Sequence, residues 1–198
     1  MAFQILAILI LVGFYSIYIG KMFLQKRKGI QTDQIAKGKK SNLLLFTELI
    51  MKLATYCIVI VEIISIYINT ATPFLLARII GFVLGIMGVV IFGISVYTMK
   101  DNWRAGIPES DKTELVTTGI FRFSRNPAFL AFDLVYFSVL ILFFNWVLLS
   151  FTIFAMLMLH LQIKQEEKFL IHTFGKEYQE YKQQTRRYMG CKTATVDR

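Results

Sequence analysis

The stretch LVTTGIFRFSRNPAFLAFDLVYF, residues 115–137, changes from polar and basic to apolar within a few residues. Arg122, Arg125 and Asn126 stand just before the apolar part, and Asp133 lies about two helical turns inside it. An ionisable side chain within a membrane helix is costly, and it usually faces a polar cavity or a partner. The stretch therefore predicts a membrane helix that begins beside a polar site.

The composition of the whole chain is typical of a membrane protein. Of its 198 residues, 56% have hydrophobic side chains and only 18% are charged. Four apolar tracts are long enough to cross a hydrocarbon layer of about 30 Å at about 1.5 Å per residue. They are residues 3–20, 43–68, 73–99 and 127–161.

The last of these tracts is too long for one crossing. We divide it at Asn145 and Trp146, which suit a tight turn at the membrane interface. The sequence thus predicts an all-α polytopic membrane protein, with about five transmembrane helices and a cytoplasmic C-terminal helical segment.

Basic residues are concentrated in three segments. Residues 21–40 contain seven, residues 100–126 contain five, and the tail after Leu161 contains eight. By the positive-inside rule these segments are cytoplasmic, so the N-terminus lies outside and the C-terminus in the cytoplasm. The net charge of +9 then reflects topology and attraction to anionic lipid headgroups, and it requires no nucleic acid partner.

The two cysteines do not indicate a disulfide or a metal site. Cys57 lies within the second apolar tract and Cys191 in the tail. Neither belongs to a CxxC motif, and neither has a nearby histidine that would complete a set of metal ligands.

The RNP step at residues 125–127 has two interpretations. Asn126 is a favourable N-cap and Pro127 suits the first helical position, so the step is a normal helix start. The same geometry offers free backbone N–H groups and the positive end of the helix dipole, flanked by Arg122 and Arg125. Such a helix start would hold a carboxylate or a phosphate.

Helical spacing links this step to Asp133. Asn126, Phe129, Leu130 and Asp133 recur at intervals of three and four, which predicts one shared face. Asp133 then faces a polar cavity, or it is a structural acid satisfied by a nearby arginine or hydroxyl.

Glu166 and Glu167 follow the last apolar tract and precede a tyrosine-rich segment. Acids at a membrane interface among aromatic residues suit a cationic or hydroxyl-bearing ligand. The alternative is an ordinary solvated helix face.

Five short motifs in the second half resemble a known superfamily. They are WRAGI, ELVTTGIFRFSRNPAF, QEEKFL, FGKEYQEY and RRY. In this order and spacing they resemble the C-terminal half of the isoprenylcysteine carboxyl methyltransferases and phospholipid methyltransferases, over about residues 100–190. The resemblance implies an integral membrane enzyme that uses S-adenosylmethionine on the cytoplasmic side and a lipid-like acceptor from the bilayer.

The resemblance also divides the chain into two parts. Residues 1–99 would hold transmembrane helices 1–3 and the basic cytoplasmic loop 21–42. Residues 100–198 would form the methyltransferase-like region, with a loop, a helical hairpin at 127–161 and tail helices.

Carried over position by position, the resemblance implies a set of cofactor-binding residues. They are Leu115, Val116, Thr117, Gly119, Arg125, Asn126, Pro127, Phe129, Leu130, Glu166, Glu167, Tyr178 and Tyr181. Two positions depart from the eukaryotic carboxyl methyltransferases, because Asn126 replaces the His and Phe129 the Tyr of their RHPxY motif. A mechanism that requires an imidazole or a phenol there does not transfer to this chain.

The chemistry of methyl transfer assigns further roles. The donor sulfonium is already activated, so the protein must mainly align the reactants and complement their charges. A carboxylate acceptor needs only a cation, for which Arg104 is the first candidate and Arg187 the second. An amine acceptor needs its proton removed, and Glu167 or Asp133 could accept it.

These assignments leave three functions open. The first is methylation of the carboxyl group of an isoprenylated cysteine, and the second is methylation of a phospholipid amine. The third is a non-catalytic membrane protein that binds a lipid or a protein partner.

Overall fold

The computed structural model describes residues 2–69, 73–107 and 113–191, and five α-helices make up most of these ranges. The helices are α1 (Ala2–Arg27), α2 (Asn42–Ile68), α3 (Leu75–Met99), α4 (Pro127–Leu142) and α5 (Trp146–Gln184). Two 3-10 turns, Lys100–Asn102 and Gly119–Arg122, lie between α3 and α4. The predicted all-α class is confirmed.

Four of the helices, α1, α2, α3 and α5, are long and apolar enough to cross a membrane. The fourth helix in chain order, α4, is apolar but has only 16 residues, or about 24 Å at about 1.5 Å per residue. The predicted five spans are thus four full-length helices and one shorter apolar helix. The break before α5 lies where it was predicted, because the side-chain oxygen of Asn145 caps the helix by accepting a 2.8 Å hydrogen bond from the backbone N–H of Leu148.

The helices do not pack in simple chain order. The closest pairing is α3 with α4, while α2 packs on α5 and α1 on α3. Small residues make the first pairing possible, since a Cβ added at Gly88 would lie 2.7 Å from Cγ2 of Val135. The hydroxyl of Ser138 also donates a 2.6 Å hydrogen bond to the carbonyl of Gly81. The two backbones therefore approach closely, as small-residue helix interfaces allow.

The last helix changes direction before it ends. Gly175 has φ 51° and ψ −121° inside α5, so the helix kinks at this residue between two helical parts. After α5 the chain folds back, and the backbones of Thr185 and Cys191 pair in an antiparallel bridge. We refer to residues 185–191 as the tail hairpin.

The basic segments meet at one end of the helix bundle. The loop after α1 pairs with the segment after α3, since the N–H of Gln34 bonds to the carbonyl of Ala105 (2.8 Å) and the N–H of Ala105 to that of Thr32 (3.0 Å). The tail hairpin joins this end too, because the N–H of Arg125 donates to the carbonyl of Arg186 at 3.1 Å.

Candidate functional site

A cavity of about 460 Å³ lies at this end of the bundle. Its lining comes from all five helices, the loop after α1 and the segment between α3 and α4. Because residues from both halves of the chain form its walls, the site is not confined to the segment that carries the five motifs.

An arginine–glutamate cluster lies at the start of α4. The carboxylate of Glu167 accepts hydrogen bonds from Nε (3.0 Å) and Nη2 (2.8 Å) of Arg187. It also forms a 3.0 Å ion pair with Nη2 of Arg125, and the side chains of Arg125 and Glu167 are only 5% and 6% exposed. Glu167 itself does not line the cavity. Its carboxylate therefore holds two guanidinium groups in place, which is a positioning arrangement.

Arg125 is the member of this cluster that lines the cavity. Its Nε and Nη1 atoms are buried and have no hydrogen-bond partner within the described residues. Its guanidinium carbon lies 6.0 Å from the ring centre of Tyr178. Buried charged donors that lack partners are unfavourable, so the cavity offers a binding position for an anionic group.

Asn126 stands at the helix start but does not cap it. Its side chain makes no capping hydrogen bond, and its amide instead donates to the carbonyl of Arg187 at 3.1 Å. The expectation of an Asn126 side-chain cap was therefore wrong, because the bond to the tail hairpin fixes the amide in another orientation. Pro127 occupies the first helical position as predicted. Asn126, Pro127 and Phe129 all line the cavity.

Glu166 lines the cavity and differs from Glu167 in its partners. Its Oε1 accepts a 3.2 Å hydrogen bond from the amide of Gln162, one helical turn earlier. Gln162 is buried and also lines the cavity. Gln162 was not among the predicted site residues, although its i, i+4 spacing to Glu166 indicates a contact between the two side chains.

Tyr178 and Tyr181 of α5 form the cavity wall near the 3-10 turn Gly119–Arg122. Tyr178 and Tyr181 are both buried and line the cavity, as do Leu115 and Val116. The hydroxyl of Tyr181 donates a 2.6 Å hydrogen bond to the carbonyl of Phe121. This bond fastens the segment before α4 to the end of α5.

Several predicted site residues lie outside the cavity lining. They are Thr117, Gly119, Leu130, Asp133, Glu167 and Arg187. Gly119 instead has φ 60° and packs against Thr98. Helical spacing thus predicted only half of the proposed face, because Asn126 and Phe129 line the cavity while Leu130 and Asp133 do not.

Asp133 lies outside the cavity lining, and its charge acts on Tyr188 of the tail hairpin. Its Oδ1 is buried without a hydrogen-bond partner in the described ranges. Partial burial of Tyr188 raises its pKa, and the charge of Asp133 adds a smaller effect in the same direction. The hydroxyl of Tyr188 lies 2.6 Å from Nδ1 of His160. Asp133 is therefore near enough to the tail to affect Tyr188 through its charge, but no described hydrogen bond joins it to this His160–Tyr188 pair.

A second charged cluster comes from the N-terminal half. Nζ of Lys52 and Nζ of Lys37 each lie 3.1 Å from Oδ2 of Asp33. Partial burial would raise the pKa of Asp33, but these two hydrogen bonds outweigh it and lower the pKa below its ordinary value. Lys52 and Asp33 line the cavity, as does Arg104. We call Asp33, Lys37 and Lys52 the lysine cluster; none of the three was among the predicted site residues, whereas Arg104 was.

Glu48 connects the loop after α1 to the segment after α3. Its buried carboxylate accepts hydrogen bonds from the N–H groups of Ala36 (2.7 Å) and Ile107 (3.1 Å). It also forms a 2.7 Å ion pair with Lys40. The loop after α1 and the segment after α3 therefore form one wall of the cavity.

Gly106 is required where these two segments meet. It has φ 84°, and an added Cβ would lie 2.8 Å from the backbone N of Ile35. Gly106→Ala should therefore destabilise the protein by about 2–3 kcal/mol, from left-handed strain and overpacking together. Thermal unfolding in detergent measures this.

Gly29→Ala is the matched control, because Gly29 has φ 73° but nothing within 4 Å of its Cβ position. It should cost only the strain of about 1–2 kcal/mol. Equal losses in the two variants would show that the backbone contact at Gly106 contributes nothing.

These observations define a class: a polytopic helical membrane protein with a cavity of mixed charge at one end of its bundle. Residues 79–172 match the model of the isoprenylcysteine carboxyl methyltransferase (ICMT) family, which confirms the resemblance seen in the motifs. At the level of the family, the match supports a membrane methyltransferase of the isoprenylcysteine type. None of the curated proteins compared with the chain matches it.

The match begins inside α3 and ends in α5 before the kink. It includes Arg125, Asn126, Glu166 and Glu167, but not the tail hairpin that contacts three of them, Arg125, Asn126 and Glu167.

Proposed function

We propose that the protein transfers a methyl group from S-adenosylmethionine to the carboxylate of an isoprenylated cysteine or a similar lipid-like acceptor. The observation that carries the proposal is Arg125, a buried guanidinium that lines the cavity. Two of its nitrogens have no hydrogen-bond partner among the residues that the structure describes. The family match supports the reaction type, and the exposed apolar surface of the helices supports an acceptor from the bilayer.

The residues present fit S-adenosylmethionine. Its amino-acid part carries a carboxylate and an ammonium group, and Arg125 and Glu166 offer one charge of each sign in the same cavity. Asn126, Phe129, Tyr178 and further lining residues would bound the remainder of the molecule. When bound, the cofactor supplies an activated methyl group on a sulfonium.

The protein's own part in the reaction is then alignment and charge complementarity. Arg104 lines the cavity and would provide positive charge for an anionic acceptor. Glu167 and Arg187 would act as positioning residues, because they contact Arg125 and Asn126 and do not line the cavity.

A phospholipid amine is the second candidate acceptor. Glu166 favours it, because it lines the cavity and its carboxylate accepts a hydrogen bond from the neutral amide of Gln162. An amine must lose a proton during methyl transfer, and Glu166 would accept it. Transfer of labelled methyl groups into a total lipid extract, followed by identification of the product, distinguishes the two acceptors.

The proposed orientation places the N-terminus outside and the cavity on the cytoplasmic side. The meeting of the basic segments at the cavity end supports this orientation through the positive-inside rule. Cytoplasmic access to the cavity also suits a water-soluble cofactor.

Binding of S-adenosylhomocysteine tests the cofactor assignment. Arg125→Gln should weaken it about ten- to a hundredfold, because a charge-assisted hydrogen bond contributes about 1.5–3 kcal/mol. Isothermal titration of folded protein measures the affinity.

Arg122→Gln is the matched control, since Arg122 is exposed and does not line the cavity. It should leave the affinity unchanged. Absence of binding by well-folded wild-type protein would instead favour a non-catalytic lipid- or partner-binding role.

A further inference from the structure

Two charged clusters each contribute side chains to the cavity wall. The reaction proposed above needs two ligands, a methyl donor and an acceptor. The arginine–glutamate cluster contributes Arg125 from the start of α4. The lysine cluster comes from α2 and from the loop that precedes it. We propose that Lys52 binds the anionic headgroup of the acceptor at a lateral opening between α1 and α2, an inference that rests on the proposed methyltransferase function.

Lys52 has the capacity to bind a further anion. Its ammonium group has three hydrogen-bond donors, and within the described residues it contacts only Asp33. That carboxylate is already shared, because its Oδ2 also pairs with Lys37 and its Oδ1 accepts from the N–H of Ile35. Two lysines and one aspartate leave one positive charge. The side chain of Lys52 is 28% exposed and lines the cavity.

The cavity wall beside Lys52 is open toward the lipid. Ile19 of α1 and Tyr56 of α2 both line the cavity, yet they are 50% and 62% exposed. Tyr56 follows Lys52 by one helical turn, so it lies next to it on the same face. An apolar chain lying between α1 and α2 would therefore bring a headgroup to Lys52 without leaving the bilayer.

The depth of Lys52 agrees with this role. It lies ten residues after the start of α2, which corresponds to about 15 Å along the helix axis. Its side chain reaches back to Asp33 in the loop, as long basic side chains near membrane surfaces do. A headgroup at this level would lie below the membrane surface, but it would contact the polar cavity that Lys52 lines and not hydrocarbon.

The ligand that this site would accept is an amphiphile with a single apolar chain and an anionic head. That head is either a carboxylate or a phosphate. The test measures binding of an N-acetylated S-farnesylcysteine, its uncharged methyl ester and dodecyl phosphate to the full chain in nanodiscs. The more tightly bound of the two anions identifies the headgroup.

Lys52→Met should weaken binding of the preferred anion about tenfold, with no change for the methyl ester. Lys52→Arg should restore the affinity. Lys28→Met is the matched control, because Lys28 is exposed, pairs with Asp101 and does not line the cavity; it should bind the anion like wild type.

Asp33→Asn gives an independent result of opposite sign. It removes the carboxylate that competes for Lys52, so the affinity for the anion should rise severalfold. Unchanged anion binding in both Lys52→Met and Asp33→Asn, or an equal loss for the anion and its ester, would overturn the inference.

Titration with S-adenosylhomocysteine separates this inference from the proposed function. Lys52→Met should retain wild-type affinity for it. Wild-type protein that binds the farnesylated anion through Lys52 but not S-adenosylhomocysteine would contradict the methyltransferase proposal alone.

Discussion

Glu167→Gln is expected to destabilise the protein by about 3–5 kcal/mol, the usual effect of removing one partner from a buried ion pair. One carboxylate lies between Arg125 and Arg187, so its loss leaves two guanidinium groups without their counter-charge. Arg125 would then reorient, and the affinity for S-adenosylhomocysteine should fall by up to the roughly ten- to hundredfold loss expected for Arg125→Gln. Thermal unfolding and isothermal titration measure the two effects.

Glu177→Gln provides the control for Glu167. Glu177 lies on the same helix but is exposed, so the substitution should change neither stability nor affinity. Glu167→Gln protein with wild-type stability and affinity would refute the positioning role.

Gly88→Ala is expected to destabilise the α3–α4 pair by about 2–3 kcal/mol through overpacking. The new Cβ would lie 2.7 Å from Cγ2 of Val135 and 3.0 Å from the carbonyl oxygen of Ala131. The second contact is to backbone, which cannot move aside as a flexible side chain would. Unfolding of purified protein by heat or denaturant in detergent gives the change.

Gly93→Ala in the same helix should have the opposite sign. Its Cβ would meet only Cδ1 of Ile17, at an ordinary 3.6 Å, and alanine is favoured over glycine in helices by about 0.5–1 kcal/mol. If both substitutions stabilised the protein, close approach of α3 and α4 at Gly88 would be disproved.

The helices were predictable because each is encoded locally. The length of an apolar tract decides whether it can cross the bilayer, and Asn145 caps α5 through a bond to a residue only three positions away. Pro127 likewise starts α4 by its own geometry. No contact with distant residues is needed to make these assignments.

The partners of the charged residues were not predictable. Glu167 pairs with Arg125 and Arg187, which are far from it in sequence, so only the folded bundle decides which cation it meets. The same applies to Asp33 and Lys52, which lie outside the five motifs. Helical spacing shows which residues share a face, but it does not show what that face contacts, so it left open whether Asp133 faces a cavity or is a structural acid.

The tail hairpin has a consequence for the biogenesis of the protein. Arg187 follows all five helices in the chain, yet its guanidinium holds Glu167 and its carbonyl holds Asn126. A nascent chain that has not reached this residue can insert every helix into the bilayer while its binding site is still incomplete. A product truncated before the hairpin is therefore expected to integrate into the membrane but to lack the contacts that hold Glu167 and Asn126 in place.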